Sequence, residues 1–557
     1  MVSIIRNYPK MFWFILSLSV AIICGFLGLL PAFSSEYVVQ DDARSHVVWM
    51  LRFLDRDLFP NDLIADYFQS LAPSGYNTFY RLMAAVGVNP LVFNKLLPTV
   101  LGLITTAYCF GVSLQILPVP AAGFIATLLL NQNLWLKDDL VSATPRAFFY
   151  PLFMAFLYYL LRRNLLGVGV AIALLGLFYP QGVLICAAVL IVHFISLNLH
   201  KINDRKINYQ FLLTSLIVAA LVLLPYALNP SEFGPVIAEA EARKLPEFWP
   251  GGRASFFTDN FWDFWMTGDR SGIFPREWLS KFLTPPQVWA GLLLPILLRY
   301  PAYFPLARQV TSRLIILPEI AIASMVVFFA AHAFAFKLHH PSRYTQHSLR
   351  MLMAIAGGIA IAIFIDAAYK KIKLPLLALF LLPFTLIYPS LITNFPVTNY
   401  IVGQQPTLYK FLNQQPKDAL TASLALEANN LPAFAQRSIL VGSEYALPYH
   451  KRYYTETNQR SNDLIEAQYS PSLIEVQNFI KKYGIDFWLL DSQALTLEYV
   501  NKNHRIKQLN PTAAAEVKSS LEKGSVPALS KVTDRCTVLK AEGLILLKAE
   551  CIQENKS

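Results

Sequence analysis

Long apolar runs fill the first 395 residues of this chain, and a water-soluble core could not absorb so many of them. They fall at approximately 11–32, 94–115, 118–133, 146–161, 165–178, 182–198, 209–227, 286–299, 314–336, 350–369 and 374–393. A bilayer core roughly 30 Å thick needs about 20 apolar residues per helix. The pattern therefore predicts a mainly α, polytopic membrane protein of about eleven transmembrane helices. Only 15% of the residues are charged, against about 25% in soluble domains. The first run follows Arg6 and Lys10 and is longer than the apolar segment of a signal peptide, so it reads as a retained first helix.

The formal net charge is +11. In a soluble protein that excess would suggest nucleic acid. Here the basic residues sit mostly in short loops between runs, so they read as topology signals and no nucleic-acid partner is expected. Arg6 and Lys10, Arg162 and Arg163, Lys201, Arg205 and Lys206, Arg299, Arg308 and Arg313, and Lys370, Lys371 and Lys373 share one side if the helices alternate. The positive-inside rule makes that side the cytoplasm. The expected setting is a plasma or inner membrane, with the N-terminus cytoplasmic. The long segments 33–93, 134–145, 228–285 and 337–349, and everything after about 394, then lie outside. Segment 33–93 reads as partly helical and amphipathic, with Trp49, Leu51, Phe53, Leu54 and Leu58 among charged neighbours. Segment 228–285 is dense in Trp and Phe, which suits the headgroup interface.

Composition changes near 403. Residues 1–400 form the expected transmembrane domain and 401–557 a small soluble, extracytoplasmic α/β domain. Helical spacing at Leu408–Leu412 and Ser472–Tyr483 alternates with strand-like segments at Ser438–Val441, Ile485–Leu490 and Leu544–Leu547. Cys24, Cys109 and Cys186 fall in apolar runs, as small core residues would. Cys536 and Cys551 share the C-terminal domain, where a disulfide and two free thiols are both open readings.

Three charged clusters fall on the predicted outer face. They are Gln40-Asp41-Asp42-Ala43-Arg44-Ser45-His46, Lys137-Asp138-Asp139 followed by Thr144-Pro145-Arg146, and Lys337-Leu338-His339-His340-Pro341-Ser342-Arg343-Tyr344. Each alone has a bland reading. Acidic pairs after a membrane helix are often solvated, arginines at helix ends reach for headgroups, and paired histidines are more often exposed polar residues than ligands. Their shared depth is the stronger signal. Carboxylates there can activate an acceptor or bind a metal, and arginines can hold a phosphate. Glu239, Glu241 and Gln181 are weaker candidates, and Asp366 is expected at the cytoplasmic interface. No P-loop, GxSxG or HExxH motif is present, which argues against an ATP-driven pump, a serine hydrolase and a zincin.

QDDARSH at 40–46, KDDLVSATPRAFFYP at 137–151 and HHPSRYTQHSLR at 339–350, with this layout, resemble the GT-C superfamily of membrane glycosyltransferases. The resemblance implies transfer of a hexosyl or pentosyl unit from a polyprenyl-phosphate-linked donor to a glycan, lipid or protein acceptor beside the bilayer. Asp42 and Asp41 match the catalytic carboxylate, and Asp138 and Asp139 match a second acidic site. Arg343, Arg146 and Lys337 match donor-phosphate contacts, with Arg44, His46, His340 and Tyr344 as auxiliary residues. Some relatives need a divalent metal such as Mg or Mn and others do not. Asp41, Asp42, Asp138 and Asp139 are the candidate ligands if one binds. The WWD-type signature of oligosaccharyltransferases is missing from the C-terminal domain, which weighs against that subgroup. Two other readings stand beside the enzyme: a non-catalytic scaffold or assembly protein of the same fold, and a transporter or flippase. The last expects ionisable residues within helix interiors, and few fall there.

Overall fold

The computed structural model describes residues 9–199, 205–229, 231–279, 284–370, 383–392 and 394–555. Helix α1 (Lys10–Ala32) leads into strand β1 (Val38–Gln40) and a segment that holds helices α2 (Leu63–Leu71) and α3 (Ser74–Ala85). The bundle continues through α4 (Pro90–Ile116), α5 (Pro120–Leu134), α6 (Phe149–Leu161), α7 (Leu165–Phe178), α8 (Gln181–Leu199) and α9 (Arg205–Leu228). It closes with α10 (Ile316–Ala333) and α11 (Ser342–Lys370). Among the described residues, six helical segments are long and apolar enough to cross a membrane: α1, α4, α8, Tyr209–Leu228, Ser312–Ala333 and Ser342–Tyr369.

Local chemistry sets several boundaries. Asp62 caps α2 by accepting from the N–H groups of Ile64 and Ala65, at 2.8 and 2.9 Å. Asn89 caps α4 ahead of Pro90, whose missing N–H is harmless at a first helical position. The run 286–299 differs from the span expected of it. It forms a 3-10 turn (Pro286–Leu293) and then a short helix (Leu294–Arg299). Pro295 has no N–H to give an α-helical bond back to Gly291. The last expected run, 374–393, lies largely outside the described residues.

Helix α11 is the buried axis of the bundle and begins earlier than its apolar run. Ser342 to Leu349, expected as loop, form its first two turns because their polar side chains find partners in segment 228–285. It packs closely on α5. A Cβ on Gly358 would stand 2.4 Å from Ala126 Cα, so only glycine fits that crossing.

The C-terminal part is an α/β unit. Its five strands are β3 (Leu420–Ser423), β4 (Ser438–Ile439), β5 (Phe487–Asp491), β6 (Thr537–Ala541) and β7 (Leu544–Lys548), in the order β4-β3-β5-β7-β6. β3 runs parallel to both β4 and β5, while β7 is antiparallel to β5 and β6. Helices α12 (Pro406–Asn413), α13 (Lys451–Tyr469) and α14 (Leu473–Tyr483) flank the sheet. Cys536 and Cys551 are joined by a disulfide.

Strand β2 (Tyr400–Val402) pairs antiparallel with β1, Gln40 opposite Tyr400, so the expected boundary at 400/401 falls inside a ribbon shared with segment 33–93. A second tie is aromatic. Tyr67 of α2 stacks on Tyr453 of α13 with centroids 3.6 Å apart, and its hydroxyl meets His450 Nδ1 at 3.0 Å.

Candidate active site

β1 delivers Gln40 to the end of the ribbon, and Gln40 shapes the turn that follows. Its Oε1 accepts from the N–H groups of Asp42 and Ala43 at 2.8 and 3.3 Å. Its Nε2 donates to the Thr398 carbonyl at 3.4 Å and Asp138 Oδ2 at 3.5 Å. Asp42 is thereby aimed at the second acidic pair.

The second pair sits in the turn after α5. Ala143 there has a positive φ of 47°, and its carbonyl accepts from the hydroxyls of Tyr76 and Tyr80 at 3.2 and 3.3 Å. Asn94 Nδ2 holds the Ser142 carbonyl at 2.8 Å. Arg146 follows at once, in a 3-10 turn (Pro145–Phe148) that opens into α6. The third element is the first two turns of α11. Arg343, His347 and Arg350 recur at i, i+4 and i+7 and so share one helix face.

The three elements converge. Arg146 Nη2 pairs with Asp42 Oδ2 and lies 3.7 Å from Asp138 Oδ2, and its Nε lies 3.2 Å from Asp139 Oδ1. Arg343 Nη1 donates to Asp139 Oδ1 at 3.2 Å and makes no other hydrogen bond to a carboxylate among the described residues. Tyr150 bridges the back of the cluster, with its hydroxyl 3.3 Å from Asp139 Oδ2 and 2.7 Å from His347 Nδ1. Deeper in, Arg350 pairs with Glu277 and donates to the carbonyl and side-chain oxygens of Asn133 at 3.3 Å.

These surroundings split the three carboxyls. Burial opposes the charge on Asp42, but Arg146, His46 and Arg343 outweigh it and hold the group below the usual carboxylate range. Asp139, also buried, is held well below that range by Arg146, with His347, Arg343 and Lys137 adding to the effect. Asp138 goes the other way. Burial dominates there, Arg146 offsets it in part, and the charges of Asp42 and Asp139 raise it further. Asp42 is the accessible member, its side chain 31% exposed against 13% for Asp138 and 5% for Asp139.

Asp41 lies beside this core and points elsewhere. It pairs with Arg44, which reaches Glu444 Oε2 at 3.2 Å and Asn430 Oδ1 at 3.0 Å. Glu444 also pairs with Arg253. The C-terminal domain thus meets segments 33–93 and 228–285 beside the cluster. His46 packs edge-on against Phe68, and burial with the nearby Arg146 depresses its pKa to about 4 against the pull of Asp42. His340 is buried with Nδ1 unsatisfied and its ring against Tyr449. Tyr344 donates to the Leu338 carbonyl, and Lys337 is exposed in the turn after α10. Lys137 approaches Asp269 at 3.9 Å. Glu239 and Glu241 pair with Arg243 and Lys451 on the surface. Gln181 opens α8, and Asp366 lies sixteen residues past Arg350 in α11, about 24 Å along the axis.

Sequence reasoning singled out neither His347, Tyr150 and Arg350 nor Glu277, Arg253 and Glu444. The i, i+4, i+7 spacing after Pro341 was the available signal for His347 and Arg350. The two glutamates carry no such spacing.

The candidate metal ligands Asp42, Asp138 and Asp139 all face the same guanidinium, and Asp41 is turned to Arg44. Among the described residues, no group of three or more His, Cys, Asp and Glu side chains is arranged to hold a metal ion. The donor set present is built around an organic cation.

A multi-pass helical bundle with a smaller β-containing domain is a fold that this chain shares with solved membrane proteins. Solved structures of this fold include the oligosaccharyltransferase of Archaeoglobus fulgidus in its apo form. It superposes with a TM-score of 0.55 at 14% identity, covering 92% of this chain and 73% of that one. The same organism's oligosaccharyltransferase AglB, in complex with an inhibitory peptide and a dolichol-phosphate, gives 0.54 at 13% identity over 89% and 72%. A form tethered to an acceptor peptide containing the NVT sequon gives 0.51 at 13% over 90% and 72%. At these identities the likeness is one of fold. No protein-family model and no curated protein matches the chain by sequence.

Proposed function

We propose that this protein is a membrane glycosyltransferase that moves a hexosyl or pentosyl unit from a polyprenyl-phosphate-type lipid donor to a glycan, lipid or protein acceptor at the outer membrane face. The observation that carries the reading is the convergence of Asp42, Asp138 and Asp139 with Arg146 and Arg343, drawn from three separate outer elements. Solvated loop charges have no reason to meet in this way. About eleven spans, a cytoplasmic N-terminus and an extracytoplasmic C-terminal domain fit it, and the Cys536–Cys551 disulfide suits an oxidising compartment.

In this reading an acceptor oxygen attacks the anomeric carbon of the donor sugar. The bond from that carbon to the phosphate oxygen breaks, and the lipid phosphate leaves with the electron pair. Asp42, charged and accessible, orients the acceptor hydroxyl and takes its proton, a role worth about 10²–10⁴ in rate. Arg343 faces the growing negative charge on the phosphate. The buried tyrosines and Asn94 keep the second acidic loop from shifting as charge moves.

Transfer of radiolabelled sugar from a panel of polyprenyl-phosphate sugars tests it, with purified wild type beside Asp42→Asn, Asp41→Asn and Arg343→Ala. Wild-type transfer that collapses in folded Asp42→Asn, and survives in Asp41→Asn, supports the assignment. Variants that restore a deletion strain in full would sink it and favour a scaffold.

A further inference from the structure

The second feature of the cluster is what stands at its centre. Three carboxylates from two outer loops surround one guanidinium, which touches Asp42 and Asp138 through Nη2 and Asp139 through Nε. Carboxylate oxygens that hold Mg or Ca lie about 2.0–2.6 Å from the ion and close around it. Here the fork of Arg146 holds the carboxylates apart. A guanidinium does not lose its proton in a protein, so its charge cannot make way for an ion by titration. Nor is the side chain loosely placed. It leaves the chain three residues after Ala143, whose carbonyl is fixed by Tyr76 and Tyr80, and it is largely buried.

We infer that Arg146 is the built-in cation of this site, standing where a divalent metal would have to stand. The charge balance agrees. Asp42, Asp138 and Asp139 face Arg146, Asp139 also faces Arg343, and Lys137 is nearby, so positive charge already offsets the carboxylates. Arg146 is thereby committed to organising the acidic residues. Arg343, which pairs with a single carboxylate, is left as the arginine for the donor phosphate. Sugar transfer then needs no Mg or Mn. A carboxylate cluster with a vacated centre is, in contrast, a ready ligand set for a hard cation.

The test is Mn binding by the full-length protein in detergent, stripped with chelator and followed by the electron paramagnetic resonance signal of the free ion. Wild type is expected to take up no stoichiometric Mn, and Arg146→Ala to bind one ion per chain at least about tenfold more tightly. Adding Asp139→Asn should abolish the gained site, and Arg146→Lys, which keeps a cation, should not gain it. If Arg146→Ala does not fold, Arg146→Gln, near in length and uncharged, decides in its place. One Mn per wild-type chain, lost in Asp139→Asn, overturns the inference. So does a folded, uncharged variant that gains no binding. These arms need no turnover, so they fail separately from the proposed transfer. Where transfer is measured, wild type should keep its rate after chelation, and a loss restored by Mn would also overturn the inference.

Discussion

Glu444, just past the carboxyl end of β4, lies 3.2 Å from Arg44, four hundred residues earlier in the chain. Its other oxygen takes Arg253 from segment 228–285. One carboxylate therefore bridges two arginines where the C-terminal domain meets the membrane part. Glu444→Ala leaves Arg44 with Asp41 and Asn430 but removes the carboxylate partner of Arg253, and should cost about 1 kcal/mol, because Arg253 is partly exposed. Thermal unfolding of the detergent-purified variant checks this. An unchanged midpoint would mean that the domain is held elsewhere.

Asp138 should set the acid limb of transfer. Its carboxyl is raised while Asp42 and Asp139 are lowered, so as pH falls Asp138 takes up a proton first. Asp138→Asn should lower the plateau of kcat/KM by about tenfold or more. It should also move the remaining limb to lower pH, where Asp42 titrates. A pH–rate profile of both proteins decides, and an unmoved limb assigns it to another group.

His46 makes the fold sensitive to mild acid. Its folded pKa is about 4 and its unfolded value near 6.5. Above about pH 6.5 both states are neutral and the residue contributes no pH dependence. Between 6.5 and 4 the unfolded chain binds the proton and the folded one does not, so stability falls as pH drops. His46→Asn should flatten that slope in unfolding midpoints taken across the window.

Within the bundle, Glu319 of α10 is 2% exposed and meets His193 Nδ1 of α8 at 2.6 Å. Removing Glu319 leaves the His193 ring without its partner, and Glu319→Ala should cost about 1–2 kcal/mol. Replacing both with apolar residues, as in Glu319→Leu with His193→Phe, should recover much of it. Midpoints for the single and double variants form the cycle that checks the coupling.

Legibility followed the physics of each element. α1, α4 and α8 could be read because length and apolarity suffice to mark a span. The run 286–299 was apolar enough, but proline decided its shape. Helix α13 was hidden. Its buried positions include Tyr453, Thr457, Ser461, Leu464 and Gln468, and the polar ones among them erase the hydrophobic period. The acidic pairs and Arg343 stood out because charge is scarce beside membrane helices. Their convergence did not, since Asp42 and Arg146 are 104 residues apart and meet only through tertiary packing. Asp41 and Asp42 were indistinguishable as neighbours. The Gln40 turn separates them by sending one to Arg44 and the other to Arg146.

The ribbon of β1 and β2 has a consequence for biosynthesis. Gln40, which aims Asp42 at the second acidic pair, is opposite Tyr400, and Asp41 donates its N–H to Asn399. During synthesis the early loop must wait, unpaired, while some 360 residues are made. The cluster is therefore assembled only when the chain beyond α11 has brought Asn399 and Tyr400 back to the ribbon, which ties the birth of the cluster to the completion of the helical bundle.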